Sequence, residues 1–425
     1  MKQTGNRSGF LIVNNQYGIE LNMKRLILFT LLLASLLFGE TIQRDRTALR
    51  SGPGAWYPLL AELNTGSSVK VVNTGEQWVE VSVSGESGFV ASKAFTGKVQ
   101  TNDVFAQMSA QTSSTKVSLS GVTAAVKGFA DRFSKRLDAE GISIEQFMQP
   151  QINEQEYLRF KSKTATKKEL KKLNRKFGLK KLSKNNEFTF TEEGTGLAIA
   201  AKLSTMGLMT DPGTTAYVNQ VGTYVAEQSE GYDIAFRFFI LDQDAVNGFA
   251  CPGGIIFITR GALELMENEA ELACFLGHEI AHVVHRHGMQ EMEERKEMIM
   301  ADNVFEEMAM ENQVSTEIEQ ASMDLDEQAL SSYENIFHGR LEAYEISADE
   351  LGLRYAARSG YDPRAMTQFL QRLTTRHATP GSDHYSSSKN MDRIKRLESK
   401  YKADYQAQAK LLGTHRQRFD EQVNL

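Results

Sequence analysis

The chain has 425 residues, enough for two to four folded units of ordinary size. Apolar residues make up 41% and charged residues 24%, and 48 Lys+Arg against 54 Asp+Glu leave a net charge of −6, so no overall basic field exists to hold nucleic acid. Two cysteines, Cys251 and Cys274, exclude a disulfide-rich secreted scaffold; two buried thiols are expected rather than a bridge.

The first predicted element is the apolar run Leu26–Gly39, preceded by Met23-Lys24-Arg25. At 14 residues it suits the core of a signal peptide better than a bilayer span, which needs about 20. Residues 23–40 therefore read as a signal peptide, or an uncleaved anchor. Residues 1–22 read as an extension from a mis-called start. The expectation is export to the periplasm or cell envelope.

Residues 43–97 carry short β-branched runs of period 2, Ser68–Val72 and Trp78–Val83 among them, separated by Gly, Asn and Ser. This pattern predicts a small all-β barrel. With Leu49-Arg-Ser-Gly-Pro-Gly54, Trp78 and Gly88-Phe-Val90, the segment resembles a bacterial SH3-type domain. The resemblance implies a cell-wall or peptide ligand. Residues 98–184 read as a helical polar and basic linker, in which Lys161–Lys184 holds eleven Lys/Arg and one acid, Glu169. Such a run is a solvated helix face or a surface-binding patch. Met289–Glu334 is its opposite, with fourteen Asp/Glu against Arg295 and Lys296.

The first motif that carries chemistry lies between these charged runs. Asn268 is a helix N-cap with Glu271 three residues on, and dense apolar residues at helical spacing predict a largely buried helix to His287. Within it, His278-Glu-Ile-Ala-His282 puts two imidazoles on one face, one turn apart, where they can close on one zinc ion, with Glu279 able to reach a water beside it. By composition, H-[DE]-x-x-H should arise by chance only about 0.02 times in this chain. A third ligand is required. The metzincin pattern is excluded because position 285 is His and position 288 is Gly. A second predicted helix, Leu341–Ser359, carries Glu345-Ile-Ser-Ala-Asp349, where Glu345 would bind zinc and Asp349 would orient a ligand histidine through its other ring nitrogen. His285 and His287 read as packing or helix-end residues.

These motifs occur in order with Tyr217-Val-Asn-Gln-Val-Gly222, Asn247-Gly-Phe-Ala-Cys-Pro-Gly-Gly254, Gly360-Tyr-Asp-Pro363 and Arg393-Ile394. From about Glu187 to Lys402 the chain resembles the zinc metallopeptidases that include the CAAX prenyl proteases, the heat-shock membrane protease X and soluble exported relatives. The resemblance implies one zinc per chain held by His278, His282 and Glu345, with Glu279 as general base and Asp349 behind a ligand histidine. It also implies an edge strand for substrate at Asn247, Phe249, Ala250 and Cys251. His384 or Arg393 would stabilise the oxyanion, and His384 is alternatively a plug of the open zinc position. Cys251 and Asp383-His384-Tyr385 depart from the family pattern.

The expected architecture is α+β and multidomain: a small all-β SH3-like barrel, then a mainly helical zincin catalytic domain at 185–405 with a small β-sheet, then a tail at 406–425. The expected function is an exported zinc endopeptidase acting on polypeptides, including misfolded envelope proteins. Two rivals stand beside it. A deformylase-like metallohydrolase would use Cys251 as a ligand but leaves Glu345 and Asp349 unexplained. A non-proteolytic chaperone or binding protein would work through the SH3-like module.

Overall fold

A computed structural model describes residues 39–96, 144–149, 151–179, 182, 190–290, 341–375 and 387–424. Leu26–Phe38, nearly all of the acidic segment, and His384 lie outside the described residues. Among the described residues no helix is long and apolar enough to cross a membrane. Strands β1–β6 form one unit and the described residues from 144 onward form another.

The first unit contains β1 (Glu40–Thr41), β2 (Thr47–Arg50), β3 (Leu59–Leu63), β4 (Ser68–Thr74), β5 (Trp78–Val83) and β6 (Glu86–Ala91), in the sheet order β1-β4-β5-β6-β2-β3. Alternate residues turn inward, as period 2 requires, so Val79, Val81 and Val90 join Ile42, Leu49 and Val69 in one apolar cluster. Ser84 and Gly85 turn the β5–β6 hairpin with φ of 54° and 93°, the left-handed pair that matches strand twist.

The second unit opens with α1 (Ile144–Met148), α2 (Glu154–Thr164), α3 (Lys167–Lys176), α4 (Phe190–Ser204) and α5 (Pro212–Ala226). The sequence reading of 98–184 as a linker does not hold for its last part. Tyr157, Phe160, Leu173 and Phe177 are buried in the core of this unit, and the lysines of α3 occupy the opposite face. Charge dominates the composition there, but aromatic and aliphatic residues at spacings of three and four supply an inward stripe.

Strands β7 (Arg237–Leu241), β8 (Gly248–Ala250) and β9 (Ile255–Thr259) make a small sheet of order β7-β9-β8, with β7 parallel and β8 antiparallel to β9. Every residue of β9 is buried because both faces are covered. Ile256 and Ile258 face the main core, while Ile255 and Phe257 join the cluster under α4. Cys274 belongs to the first cluster and Cys251 to the second, and both are buried thiols with no disulfide between them.

Helices α6 (Arg260–Leu265) and α7 (Glu269–Val284) follow, then α8 (Glu342–Arg358), α9 (Arg364–Thr375), α10 (Ser387–Lys400) and α11 (Arg416–Gln422). All sixteen residues of α7 are buried. Asn268 caps α7 by accepting from the Glu271 amide at 3.1 Å. The helix ends at Val284, three residues before the predicted His287, because Arg286 has φ of 54° and turns the chain. The predicted tail is also part of the core structure: Arg418 of α11 is paired in bidentate fashion with the fully buried Glu269 carboxylate, which also accepts from Tyr217 (2.6 Å) and Tyr361 (2.7 Å).

Candidate metal centre

Helices α7 and α8 carry the site, and two glycines set how closely they cross. A β-carbon on Gly277 would lie 2.9 Å from the Gly352 carbonyl oxygen, and one on Gly352 would lie 2.6 Å from the His278 amide nitrogen. The backbones therefore touch one residue from the first histidine, and this contact lets the short Glu345 and Asp349 side chains reach it.

The two histidine Nε2 atoms are 3.1 Å apart. Glu345 completes a triangle, its carboxylate oxygens 3.4 Å from His278 Nε2 and 3.3 Å from His282 Nε2. Donors bonded at about 2.0–2.1 Å to one tetrahedral zinc lie about 3.3 Å from each other, so the spacing fits a single ion. Among the described residues these three form the group able to hold a metal. Two imidazoles and a carboxylate are also the donor chemistry that zinc accepts.

The surroundings orient the candidate ligand His278. Asp349, fully buried, lies 3.1 Å from His278 Nδ1, placed to accept a hydrogen bond from its N–H and so to turn the Nε2 lone pair toward the site. Arg393 in turn holds Asp349 with two parallel bonds, Nε to Oδ2 at 2.9 Å and a terminal nitrogen to Oδ1 at 2.7 Å. Burial alone would raise the Asp349 carboxyl, but Arg393 and His278 overcome it and hold it at about 2. Burial likewise disfavours the His278 imidazolium, yet Asp349 and Glu345 outweigh that penalty and lift it to about 9. A buried cluster that favours a positive charge so strongly is suited to a cation.

Glu279 is buried on α7 beside β8: a β-carbon on Gly248 would come within 2.6 Å of its Oε1. Of the predicted strand residues, Phe249 and Ala250 lie within β8 and Asn247 and Cys251 flank it. Asn247 and Cys251 bond inward, through Thr259 N–H to the Asn247 carbonyl and Cys251 N–H to the Ile255 carbonyl. Alternation then turns the main-chain groups of Gly248 and Ala250 to the outer side of the sheet. Cys251 sits in the apolar cluster under α4, not in the donor group, which removes the ligand required by the deformylase-like reading. His285 also lies outside that group; its Nε2 is 3.3 Å from the Tyr355 hydroxyl.

Gly277, Gly352 and His287 shape the site without being marked as site residues in the sequence, and Gly248 lies within the Asn247–Gly254 motif without a role of its own. The available signal is glycine inside helices otherwise rich in good helix formers, where it costs stability unless packing demands it.

Two histidines one turn apart, a carboxylate from a crossing helix and a glutamate beside the first histidine define a centre of the metallopeptidase class. Residues 212–415 match the profile of Peptidase family M48, and residues 45–96 match that of the Bacterial SH3 domain. Residues 212–415 are thus a peptidase region of the M48 type, preceded in the chain by a region of the bacterial SH3 type. It is 31% identical over 166 residues to the Beta-barrel assembly-enhancing protease of Yersinia pestis, covering 39% of this chain and 34% of that protein. The Escherichia coli (strain K12) protein of the same name is 29% identical over 166 residues, with the same coverage. The Mitochondrial metalloendopeptidase OMA1 of Schizosaccharomyces pombe is 28% identical over 191 residues, 43% of this chain and 52% of that protein. The chain thus spans about a third of the length of the bacterial relatives it matches.

Proposed function

We propose that this chain is a zinc-dependent endopeptidase of the cell envelope, with His278, His282 and Glu345 holding the ion. The observation that carries the reading is the triangle of donors at 3.1, 3.3 and 3.4 Å. Zinc, when bound, polarises a peptide carbonyl and lowers the pKa of a water in the site. Glu279 takes the proton of the attacking water and passes it to the leaving amine. Asp349 keeps His278 in the tautomer that presents Nε2, and Arg393 keeps Asp349 in place; with two of its nitrogens bonded there, Arg393 acts through Asp349 instead of on the oxyanion. That leaves His384 as the candidate oxyanion donor or plug. The substrate is an extended polypeptide laid along the outer side of β8, next to Glu279.

The envelope assignment draws on the Leu26–Gly39 segment and on relatives named for enhancing β-barrel assembly. Misfolded envelope proteins are the proposed substrates, and the SH3 domain is proposed to take a cell-wall or peptide ligand. Metal analysis of the purified protein, with casein cleavage measured before and after chelation, tests the activity. About one zinc per chain and cleavage restored by added zinc are expected. Cleavage that survives full removal of metal would refute the reading.

A further inference from the structure

His287 is 3% exposed, and its Nδ1 lies 3.1 Å from Nδ1 of His282, on the side of that ring away from His278 and Glu345. On an uninterrupted helix a residue five positions beyond His282 would lie about 140° around the axis from it. The chain does not continue that way. Helix α7 stops at Val284, and Arg286 adopts φ of 54°, a left-handed conformation uncommon for a residue other than glycine. That turn returns His287 to the ligand it would otherwise leave.

The turn is held from outside. Arg286 Nε donates to Glu192 Oε1 at 2.6 Å, and Glu192 is 1% exposed on α4. The His287 ring rests on Tyr344, with centroids 5.0 Å apart, and Tyr344 directly precedes Glu345. An unusual backbone conformation held by a part-buried ion pair, next to a candidate ligand, directs attention to that residue.

We propose that His287 positions His282 for metal binding by accepting a hydrogen bond from the Nδ1–H of His282. A histidine that offers Nε2 to a metal carries its proton on Nδ1, and that N–H needs an acceptor. The Nδ1 of His278 faces the Asp349 carboxylate at 3.1 Å, and the Nδ1–H of His282 donates a hydrogen bond to His287. The two ligands thus have unlike supports, a carboxylate behind one and a neutral imidazole behind the other, which limits the negative charge gathered around the ion. His287 is a positioning residue that touches neither substrate nor metal. The inference rests on the zinc reading of the site.

The test compares His287→Phe, which fills the space without an acceptor, with His287→Asn, whose side-chain oxygen can replace Nδ1. Zinc affinity is measured by competition with a chromophoric chelator, and the cobalt-substituted proteins are compared by visible absorption. His287→Phe should bind zinc about 10- to 100-fold more weakly and shift the cobalt spectrum, while its metal-free circular dichroism is unchanged. His287→Asn should recover most of the affinity. Should the Phe variant not fold, nitrogen-15 spectra of the zinc-loaded wild type decide: His282 is expected to be protonated at Nδ1 and His287 bare at Nδ1. Wild-type zinc affinity in His287→Phe, equal losses in both variants, or a proton on Nδ1 of His287 would overturn the inference alone. A wild-type protein that binds no zinc would overturn the zinc reading and this inference together.

Discussion

Gly352 and His278 touch through their backbones: a β-carbon on Gly352 would lie 2.6 Å from the His278 amide nitrogen and 2.9 Å from its Cα. Neither atom belongs to a flexible side chain, so any larger residue at 352 must move α8 away from α7. Glu345 and Asp349 lie two turns and one turn earlier on α8, and they move with it. Gly352→Ala should cost about 1–3 kcal/mol, as over-packing does, and lower zinc affinity at least tenfold. Thermal unfolding and chelator competition measure the two effects; a variant with wild-type zinc affinity would show that the crossing does not set the ligand triangle.

Glu279→Gln separates metal binding from proton transfer. The amide keeps the size of the side chain beside Gly248, and Glu279 is not in the donor group. Zinc content should stay near one per chain while peptide cleavage falls by about 10²- to 10⁴-fold or more. Turnover near the wild-type value would remove Glu279 from the mechanism.

Glu345→Ala should do the reverse at its first step, lowering zinc content because it removes one corner of the triangle. Zinc content by atomic emission after dialysis against buffer is the measurement. Full occupancy would assign the third ligand to another side chain.

Gly248→Ala probes the distance between the edge strand and the base. Its new methyl group would meet Glu279 Oε1 at 2.6 Å and the Phe275 ring at 2.8 Å, so the carboxylate must shift. Zinc should remain bound while kcat falls, by about tenfold for each 1.4 kcal/mol added to the barrier. An unchanged kcat would mean that Glu279 tolerates displacement and is not closely positioned by β8.

Arg418→Ala tests the far end of α7. It leaves the Glu269 carboxylate buried with two tyrosine hydroxyls but no cation, and breaking such a pair costs about 3–5 kcal/mol. Adding Glu269→Gln should recover part of the loss, since it removes the uncompensated charge. A single variant as stable as wild type in urea unfolding would show that the last helix is dispensable to the core.

Relationships between residues close in the chain are legible in the sequence itself. The i, i+4 spacing of His278 and His282 is a property of one helix, as is that of Glu345 and Asp349, and Asn268 caps α7 where its side-chain chemistry predicts. Period 2 in residues 43–97 likewise foretells β4, β5 and β6, because strand alternation is local.

Every contact between distant segments depends on the tertiary structure. Arg393 reaches Asp349 from 44 residues away, Glu192 reaches the Arg286 turn from 94, and Arg418 reaches Glu269 from 149. Local periodicity carries no signal for such pairs, since a charge reads the same whether its partner is water or a distant side chain. The glycines at 277 and 352 show the same limit: each reads alone as a weak point in a helix. Only with the two helices crossed does the missing side chain become the space through which Glu345 and Asp349 meet the histidines. Sequence thus determined which groups could do the chemistry, and packing decided how close they come.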